Sequence, residues 1–411
     1  MAPAHRRVAV IGAGPAGAIA TDALVKEQAF ETVRIFDRRA GIGGTWIHTP
    51  HLPASIPSLK EVLAGTADKP IALPPLLPAV TPVSEEANSH QLRFSDTAIH
   101  ENLHSNITPQ IMSYSSYPFP NTLSSRSLAE YGPGAPFRHH ATISDWVEGI
   151  FKSNGYEKLV ELTQPLSRVV VVGASVSSHE IIHEILEAAE SPVYSAIRGE
   201  PIPAFGWEPF DHPKIVVKKE VTRLDAKTGT VHFADGRHLE NVDHVIFGTG
   251  YTFSYPFLPH IQERLKNAYR RLPGVWQHTW DIEDPSLTFV GMLGGGFTFR
   301  VDEYQAVAVA RHLAGRAAVL PPITEQLEWE RARAAEKKGG KDYYSIAPNY
   351  SDFFELLRSI AGEPAEGTTG RKLEPFREDW TELWQGMVSH KIEGWRRKRR
   401  RAQEELDAGR V

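Results

Sequence analysis

The chain has 411 residues, of which 41% are hydrophobic and 23% charged, and its formal net charge is -5. A chain of this length buries a substantial core and ordinarily divides into two or three domains, and the charge balance gives no sign of a nucleic-acid partner. Cysteine is absent, which excludes disulfides, thiolate metal sites, cysteine nucleophiles and any mechanism built on a redox-active cysteine pair. No stretch reaches the 18 apolar residues of a membrane span. The seven residues before Val8 are too few for a signal peptide. The expectation is a cytoplasmic protein with no membrane span.

The first apolar run, Val8 to Ile11, leads straight into Gly12-Ala13-Gly14-Pro15-Ala16-Gly17, and a helical pattern follows from about Pro15 to Glu27. In a strand–turn–helix unit, Gly12 permits the turn, Gly14 leaves room for a pyrophosphate, and Gly17 lets helix and strand approach. The amides at the helix start face the phosphate. A second strand, Thr32 to Phe36, ends at Asp37, with Arg38 beside it, 20 residues after Gly17. An acid there accepts from a ribose hydroxyl pair. This fingerprint serves NAD and FAD alike.

The next segment, Gly41-Ile42-Gly43-Gly44-Thr45-Trp46, resembles the second glycine turn of the flavin-containing monooxygenases, in which GG-x-W sits beside the flavin. That resemblance implies FAD, with Gly44, Thr45 and Trp46 at its site. Read without it, the segment is a surface turn with a buried tryptophan. Residues 50 to 82 are rich in proline with little periodicity and read as a long loop with short helical pieces.

Leu103-His104-Ser105-Asn106 and the run Met112 to Pro120 continue the resemblance, with Ser105 in place of the family's threonine and Tyr114 in place of its phenylalanine. By the same resemblance Asn106 is the catalytic amide near the reactive edge of the flavin; as a residue alone it is also a common loop cap. Ser144 or Thr142 is the expected cap of a helix running to about Phe151. A strand from Leu159 to Leu162, with Thr163 at its end, is expected to rejoin the first sheet.

Arg168 to Val172 is a buried-strand pattern leading to Gly173-Ala174-Ser175-Val176-Ser177-Ser178 and a helix through Glu187. Serine keeps the close approach of a phosphate, at some cost in backbone freedom. The following strand, Val193 to Ile197, ends not at an acid but at Arg198, a match for the 2'-phosphate of NADPH, unless it is a solvated surface arginine. Gly173, Ser175, Ser177, Ser178 and Arg198 are therefore the expected NADPH residues, and the family places an acid at Glu180.

Val242 to Tyr251 looks like the strand that closes the second domain of two-dinucleotide flavoproteins, with Thr249 and Gly250 at the cofactor. The segments 275–281 and 284–291 resemble the last strand of the FAD domain, and Phe299, Glu303 and Gln305 match the start of its final helix, with Gln305 at the cofactor. One departure stands out. The family carries a further strand and the fingerprint F-x-G-x-x-x-H-x-x-x-[Y/F] before the second glycine motif, whereas here only Gln164-Pro165-Leu166-Ser167 separate Thr163 from Arg168. In a sheet of order 3-2-1-4-5 this removes strand four. The chain reads either as a divergent member or as the product of an aberrant transcript or gene model.

The expected class is thus α/β, with two dinucleotide-binding (Rossmann-like) domains, the FAD domain discontinuous and short of one strand. The expected boundaries are 1–165 for its first part, 166–255 for the NADPH domain, 256–330 for the return segment and 331–411 for a helical C-terminal extension. Loops at 50–82 and 320–380 would shape a substrate pocket. A helix from Asp379 runs into Trp395-Arg396-Arg397-Lys398-Arg399-Arg400-Arg401, read as a solvated, fraying end or as a nuclear or anionic-surface signal.

The resemblance implies an FAD- and NADPH-dependent monooxygenase that passes one oxygen atom of O2, through a C4a-hydroperoxyflavin, to a nitrogen or sulfur of a small-molecule substrate. An uncoupled or other flavin-dependent NADPH oxidoreductase, or a truncated non-catalytic relative, is the alternative. No metal is expected, since the histidines are scattered, and homo-oligomerisation is left open.

Overall fold

The computed structural model describes residues 5–37, 41–48, 99–155, 169–186, 189, 191–225, 227–255, 257–265, 268, 271–294, 297–337 and 341–408. Arg38, the 50–82 loop, the 159–162 strand and the 164–168 link lie outside the described residues. In chain order the elements are β1 (Arg7–Ile11), α1 (Pro15–Lys26), β2 (Thr32–Phe36), α2 (Pro109–Met112), α3 (Ser125–Tyr131), α4 (His140–Ser153), β3 (Val169–Val172), α5 (Val176–Ile185) and β4 (Val193–Ile197). There follow β5 (Ile215–Lys219), β6 (Val221–Asp225), β7 (Thr230–Phe233), β8 (His238–Leu239), β9 (His244–Phe247), α6 (Pro259–Arg264), β10 (Val275–Trp276) and β11 (Trp280–Asp281). The chain closes with α7 (Thr298–Leu313), α8 (Ile323–Glu336), α9 (Tyr350–Ala361) and α10 (Asp379–Asp407).

Two compact units divide the chain. The first holds residues 1–127, 137–162 and 252–384; the second holds 128–136, 163–251 and 385–411. The segment expected as one C-terminal extension is therefore shared between them, with α10 contributing Asp379–Trp384 to the first unit and the rest to the second.

In the first unit β1 and β2 pair in parallel, Arg7 opposite Thr32 through Ile11 opposite Phe36, and among the described residues β2 is the one strand partner of β1. α1 packs against β2, α4 and α7. α7 is buried along most of its length, as a helix must be when neighbours cover it on every side. Its polar residues Asp302, Glu303, Gln305 and Arg311 are buried with it. Arg311 reaches Glu27 at the end of α1, Nε to Oε1 at 3.0 Å, both side chains being fully enclosed.

The 284–291 segment does not stand as a strand beside β1 among the described residues. It folds back on the β11 region instead: the Asp281 amide donates to Leu287 O at 3.0 Å and the Phe289 amide to Thr279 O at 2.7 Å. The 320–380 region, expected as loop, carries α8 and α9. The apolar face of α9, with Phe353, Phe354, Leu357 and Ile360 at helical spacing, is buried.

In the second unit four strands form a wholly parallel sheet in the order β5-β4-β3-β9. The valines of β3 pair with β4 on one side and β9 on the other. A strand covered on both edges and both faces reads as a continuous apolar run, which is why 169–172 is legible. A small antiparallel sheet, β6-β7-β8, completes the unit.

Candidate dinucleotide sites

The first site is built where β1 meets α1. Gly12 has φ +110°, a region that only glycine enters freely, and its amide donates to Phe36 O at 2.7 Å, extending the β1–β2 pairing into the turn. The next amide, Ala13 N–H, donates to Asp37 Oδ2 at 2.7 Å. Asp37 thus braces the glycine turn itself, a role that its expected contact with a ribose did not include. Ala13 O accepts from the Gly43 amide at 2.9 Å, so the second glycine turn is hydrogen-bonded to the first.

The two turns meet backbone on backbone. A Cβ at Gly44 (φ +59°) would lie 2.5 Å from Gly14 Cα, one at Gly17 would lie 1.9 Å from Gly12 O, and one at Gly43 would lie 2.6 Å from Ser144 Oγ. Ser144 therefore lies against Gly43 and does not cap α4. The cap is His139, whose ring accepts from the Ala141 amide at 3.2 Å. Thr45 is exposed, and Trp46 is half-buried against the core.

α1 begins with Gly14 extended, no side chain capping it and no acid in its first turn. The amides of Ala16 and Gly17 lie in the first turn, where a helix provides no carbonyl partner, and the helix dipole favours an anion there. An uncapped first turn and a cradle that any side chain would fill fit the pyrophosphate of a dinucleotide.

Tyr114, and a network running from Ser115 to Asp22 of α1, brace this turn and its helix. The Tyr114 hydroxyl donates to Pro15 O at 3.0 Å, and its ring stacks on Trp146 with centroids 5.0 Å apart. Burial, and after it Asp302 and Glu303, push that hydroxyl well above its usual value, so it remains a donor. Next to Tyr114, Ser115 gives its amide to Glu303, at 3.0 Å to Oε2, and its hydroxyl to Oε1. Arg371 then joins Glu303 to Asp22 of α1, at 2.5 Å to each. Burial alone would raise Asp22, but Arg371, Tyr117 and Lys26 outweigh it and hold its carboxyl below the usual range.

Asn106 is half-buried, and its carboxamide makes no hydrogen bond to a described residue. Its neighbour Ser105 is fixed: the hydroxyl donates to Ile107 O at 2.9 Å and accepts the Arg138 amide at 3.0 Å. Gln305 is wholly buried, accepting from the Gly291 amide at 3.0 Å and donating to Thr279 Oγ1 at 2.9 Å. The structure thus uses this residue, expected at the cofactor, to hold the return segment.

Beside the second glycine turn stand His48, His104, His139 and His140. The pairs His48–His140, His139–His140 and His104–His139 have ring centroids 5.5, 4.2 and 5.2 Å apart. His139 and His140 both direct Nε2 at Glu101 O. Burial first, then the neighbouring rings, lower His140 to about 4 and the nearby His100 to about 4. Among the described residues no group of three metal-ligating side chains is arranged to hold an ion.

The second site repeats the first in outline. Gly173 (φ +137°) donates its amide to Ala196 O at 3.0 Å, and a Cβ there would lie 2.4 Å from Gly248 O. Ser178 is fully buried, and its hydroxyl donates to Gly248 O at 2.9 Å. It therefore closes α5 onto β9 and is not free to reach a phosphate. Ser175 is exposed and Ser177 half-buried at an α5 N-terminus that has no side-chain cap and no acid in its first turn. Arg198 is 83% exposed, with Glu220 4.0 Å away, and Thr249 and Gly250 are exposed.

The basic run of α10 is helical to Asp407, and several of its cations are paired within the chain. Arg396 pairs with Glu208, Arg399 with Asp211, and Lys398 with Glu130 at 3.1 Å. Lys391 pairs with Glu180 at 2.9 Å, while Trp395 inserts among His179, His183 and Phe205.

Sequence reasoning missed Arg371 and Asp302. Arg371 had no signal, being a lone arginine at the end of a glycine-rich loop. Asp302 adjoins a motif residue but gave no pattern of its own.

The flavin-binding monooxygenase-like family model matches residues 212–365, and the NAD(P)-binding Rossmann-like domain model matches residues 10–56. The thiol-specific monooxygenase of Saccharomyces cerevisiae is 27% identical over 201 residues, 47% of this chain and 43% of that protein. The flavin-containing monooxygenase FMO GS-OX3 of Arabidopsis thaliana is 23% identical over 448 residues, 92% of this chain and 93% of its own length. In its matches to several of these curated relatives, the chain spans less than half of their length. The S-allyl-L-cysteine S-oxygenase of Allium sativum has the same fold, with a TM-score of 0.64 at 20% identity over 96% of this chain and 94% of that one. The chain is thus similar in sequence to flavin-containing monooxygenases over parts of its length, shares the fold of one solved S-oxygenase, and matches a Rossmann-like nucleotide-binding region at residues 10–56. Among the described residues no helix is long and apolar enough to cross a membrane.

Proposed function

We propose that this chain is an FAD- and NADPH-dependent monooxygenase of the cytoplasm that transfers one oxygen atom of O2 to a nitrogen or sulfur of a small molecule. One observation carries the reading: two glycine turns, each closed against another backbone and each opening on an uncapped helix, stand at the ends of parallel strands. Gly12, Gly14, Gly17 and the Ala16 amide would hold the FAD pyrophosphate, with Gly44, Thr45 and Trp46 beside it. Gly173, Ser175, Ser177 and Arg198 would hold NADPH, Arg198 at the 2'-phosphate. Two dinucleotide domains, with boundaries near 165 and 255, belong to this reading.

Bound FAD would supply the oxygen activation that these side chains lack, with NADPH as the electron donor. The protein's share is to bind, orient and exclude water. Asn106, whose carboxamide has no described partner, would donate its N–H toward the reactive edge of the cofactor. Tyr114, Trp146 and Phe299 stack on one another in the core behind the first turn.

In this reading a family segment is lost before Arg168, with which β1 having a single described strand partner agrees. Such a loss favours, as a second reading, NADPH oxidation uncoupled from oxygen transfer. The test is the visible spectrum of the purified protein before and after anaerobic NADPH, followed by product analysis in air with amines and thioethers. Flavin bands that bleach, and product equal to the NADPH consumed, are expected. Bleaching with hydrogen peroxide as the sole product selects the second reading, and a colourless protein that takes up no FAD overturns both.

A further inference from the structure

Asp302 lies in the second turn of α7, 2% exposed, and its Oδ1 is buried with no hydrogen-bond partner. Its neighbours locate that atom. A Cβ built on Gly291 would stand 3.4 Å from Asp302 Oδ1 and 2.9 Å from Ala16 Cβ, and Ala16 belongs to the uncapped first turn of α1. Tyr114, which donates to Pro15 O in the same turn, faces this carboxyl too.

No cation answers it. From α1 the charged Asp22 is engaged by Arg371 and Lys26, and from the return segment Gly291 brings no charge. From the 113–117 segment Tyr114 brings a neutral hydroxyl. On its own helix, Glu303 is held by Ser115 and Arg371, while Arg300 donates to Gln110 O at 3.1 Å and lies over Trp380. Burial without a counter-charge pushes Asp302 up to about 8.

We propose that Asp302 is a further member of the first dinucleotide site, a carboxyl that must hold its proton for a pyrophosphate to occupy the first turn of α1. The inference rests on the FAD reading of that turn. A carboxylate beneath the turn and a pyrophosphate upon it are like charges in a medium of low dielectric constant, and they repel. The neutral acid does not. Binding therefore converts carboxylate to carboxylic acid, taking one proton from solvent wherever the free protein has lost it.

The test is FAD affinity of the flavin-free full-length chain between pH 7 and 9, read by flavin fluorescence, for the wild type and Asp302→Asn. The wild-type dissociation constant is expected to rise about tenfold across that range, and that of D302N to change by less than about twofold. Calorimetry at pH 9 in two buffers of different ionisation enthalpy is expected to count close to one proton taken up by the wild type. An equal pH slope in both proteins, or no proton uptake by the wild type, overturns the role of Asp302 and leaves the FAD site standing. Failure of both proteins to bind FAD at any pH overturns the FAD reading and this inference with it. Should D302N not fold, the wild-type proton count decides.

Discussion

The Tyr114 hydroxyl donates to the carbonyl of Pro15, 99 residues earlier in the chain, at 3.0 Å. The bond ties the aromatic segment 112–119 to the turn on which a pyrophosphate would rest.

Tyr114→Phe keeps the ring stacked on Trp146 and removes only the donor. Loss of one buried hydrogen bond costs about 1 kcal/mol. The expected outcome is a melting temperature lower by a few degrees and FAD binding weakened about fivefold, checked by thermal denaturation and flavin fluorescence. Unchanged affinity with a lowered melting temperature would make the bond purely structural.

Arg371→Met leaves Asp22 and Glu303 buried, at 0% and 2% side-chain exposure, without the cation they share, so that Asp22 keeps only Lys26 and Glu303 only Arg300 at 3.7 Å. Breaking a buried pair in this way costs about 3–5 kcal/mol. A large drop in the denaturation midpoint is expected, and a triple variant that also neutralises Asp22 and Glu303, as Asn and Gln, should regain part of it. Chemical denaturation of the three proteins measures both.

Acid should destabilise the fold through its buried histidines. His278 is lowered to about 3 and His179 to about 4, burial being the main cause of each, and their usual value is 6.5. A folded-state value below the unfolded one means that their contribution is complete above about pH 6.5 and is lost as the pH falls toward 4. Each contributes a slope of about 1.4 kcal/mol per pH unit in that window. Denaturant midpoints from pH 7 to 4 test this, and His278→Phe should flatten the curve.

Arg198→Ala should discriminate between the two nicotinamide cofactors. Its guanidinium is exposed and only loosely paired with Glu220, so the fold should be unaffected. The KM for NADPH is expected to rise tenfold or more, a loss of about 1.5–3 kcal/mol for a charge-assisted bond, with little change for NADH. Equal effects on both cofactors would remove Arg198 from the 2'-phosphate.

The residues legible in sequence are those whose constraint is local. Gly12 and Gly17 belong to one turn and the helix it starts, and Val169 to Val172 to one strand buried on all sides. Their spacing is imposed by geometry within about twenty residues, so their pattern is written along the chain. Ser178 and Gln305 were found by position, but their bonds to Gly248 O and to Gly291 and Thr279 were not, because a hydroxyl or an amide beside a ligand and one facing a carbonyl look alike in a string of letters.

The amino-acid sequence by itself determined the parallel-sheet character of the chain, its two glycine turns and the acid and arginine that follow them. Tertiary structure alone decided that Asp37 braces the first turn, that Arg371 bridges Asp22 and Glu303, that Asp302 is left without a partner, and that the basic run of α10 meets Glu208, Asp211 and Glu130. These pairs are joined across tens to hundreds of residues, and neither member limits its neighbours in sequence. A buried charge is settled by what the fold brings within a few ångströms of it, and that is a property of packing.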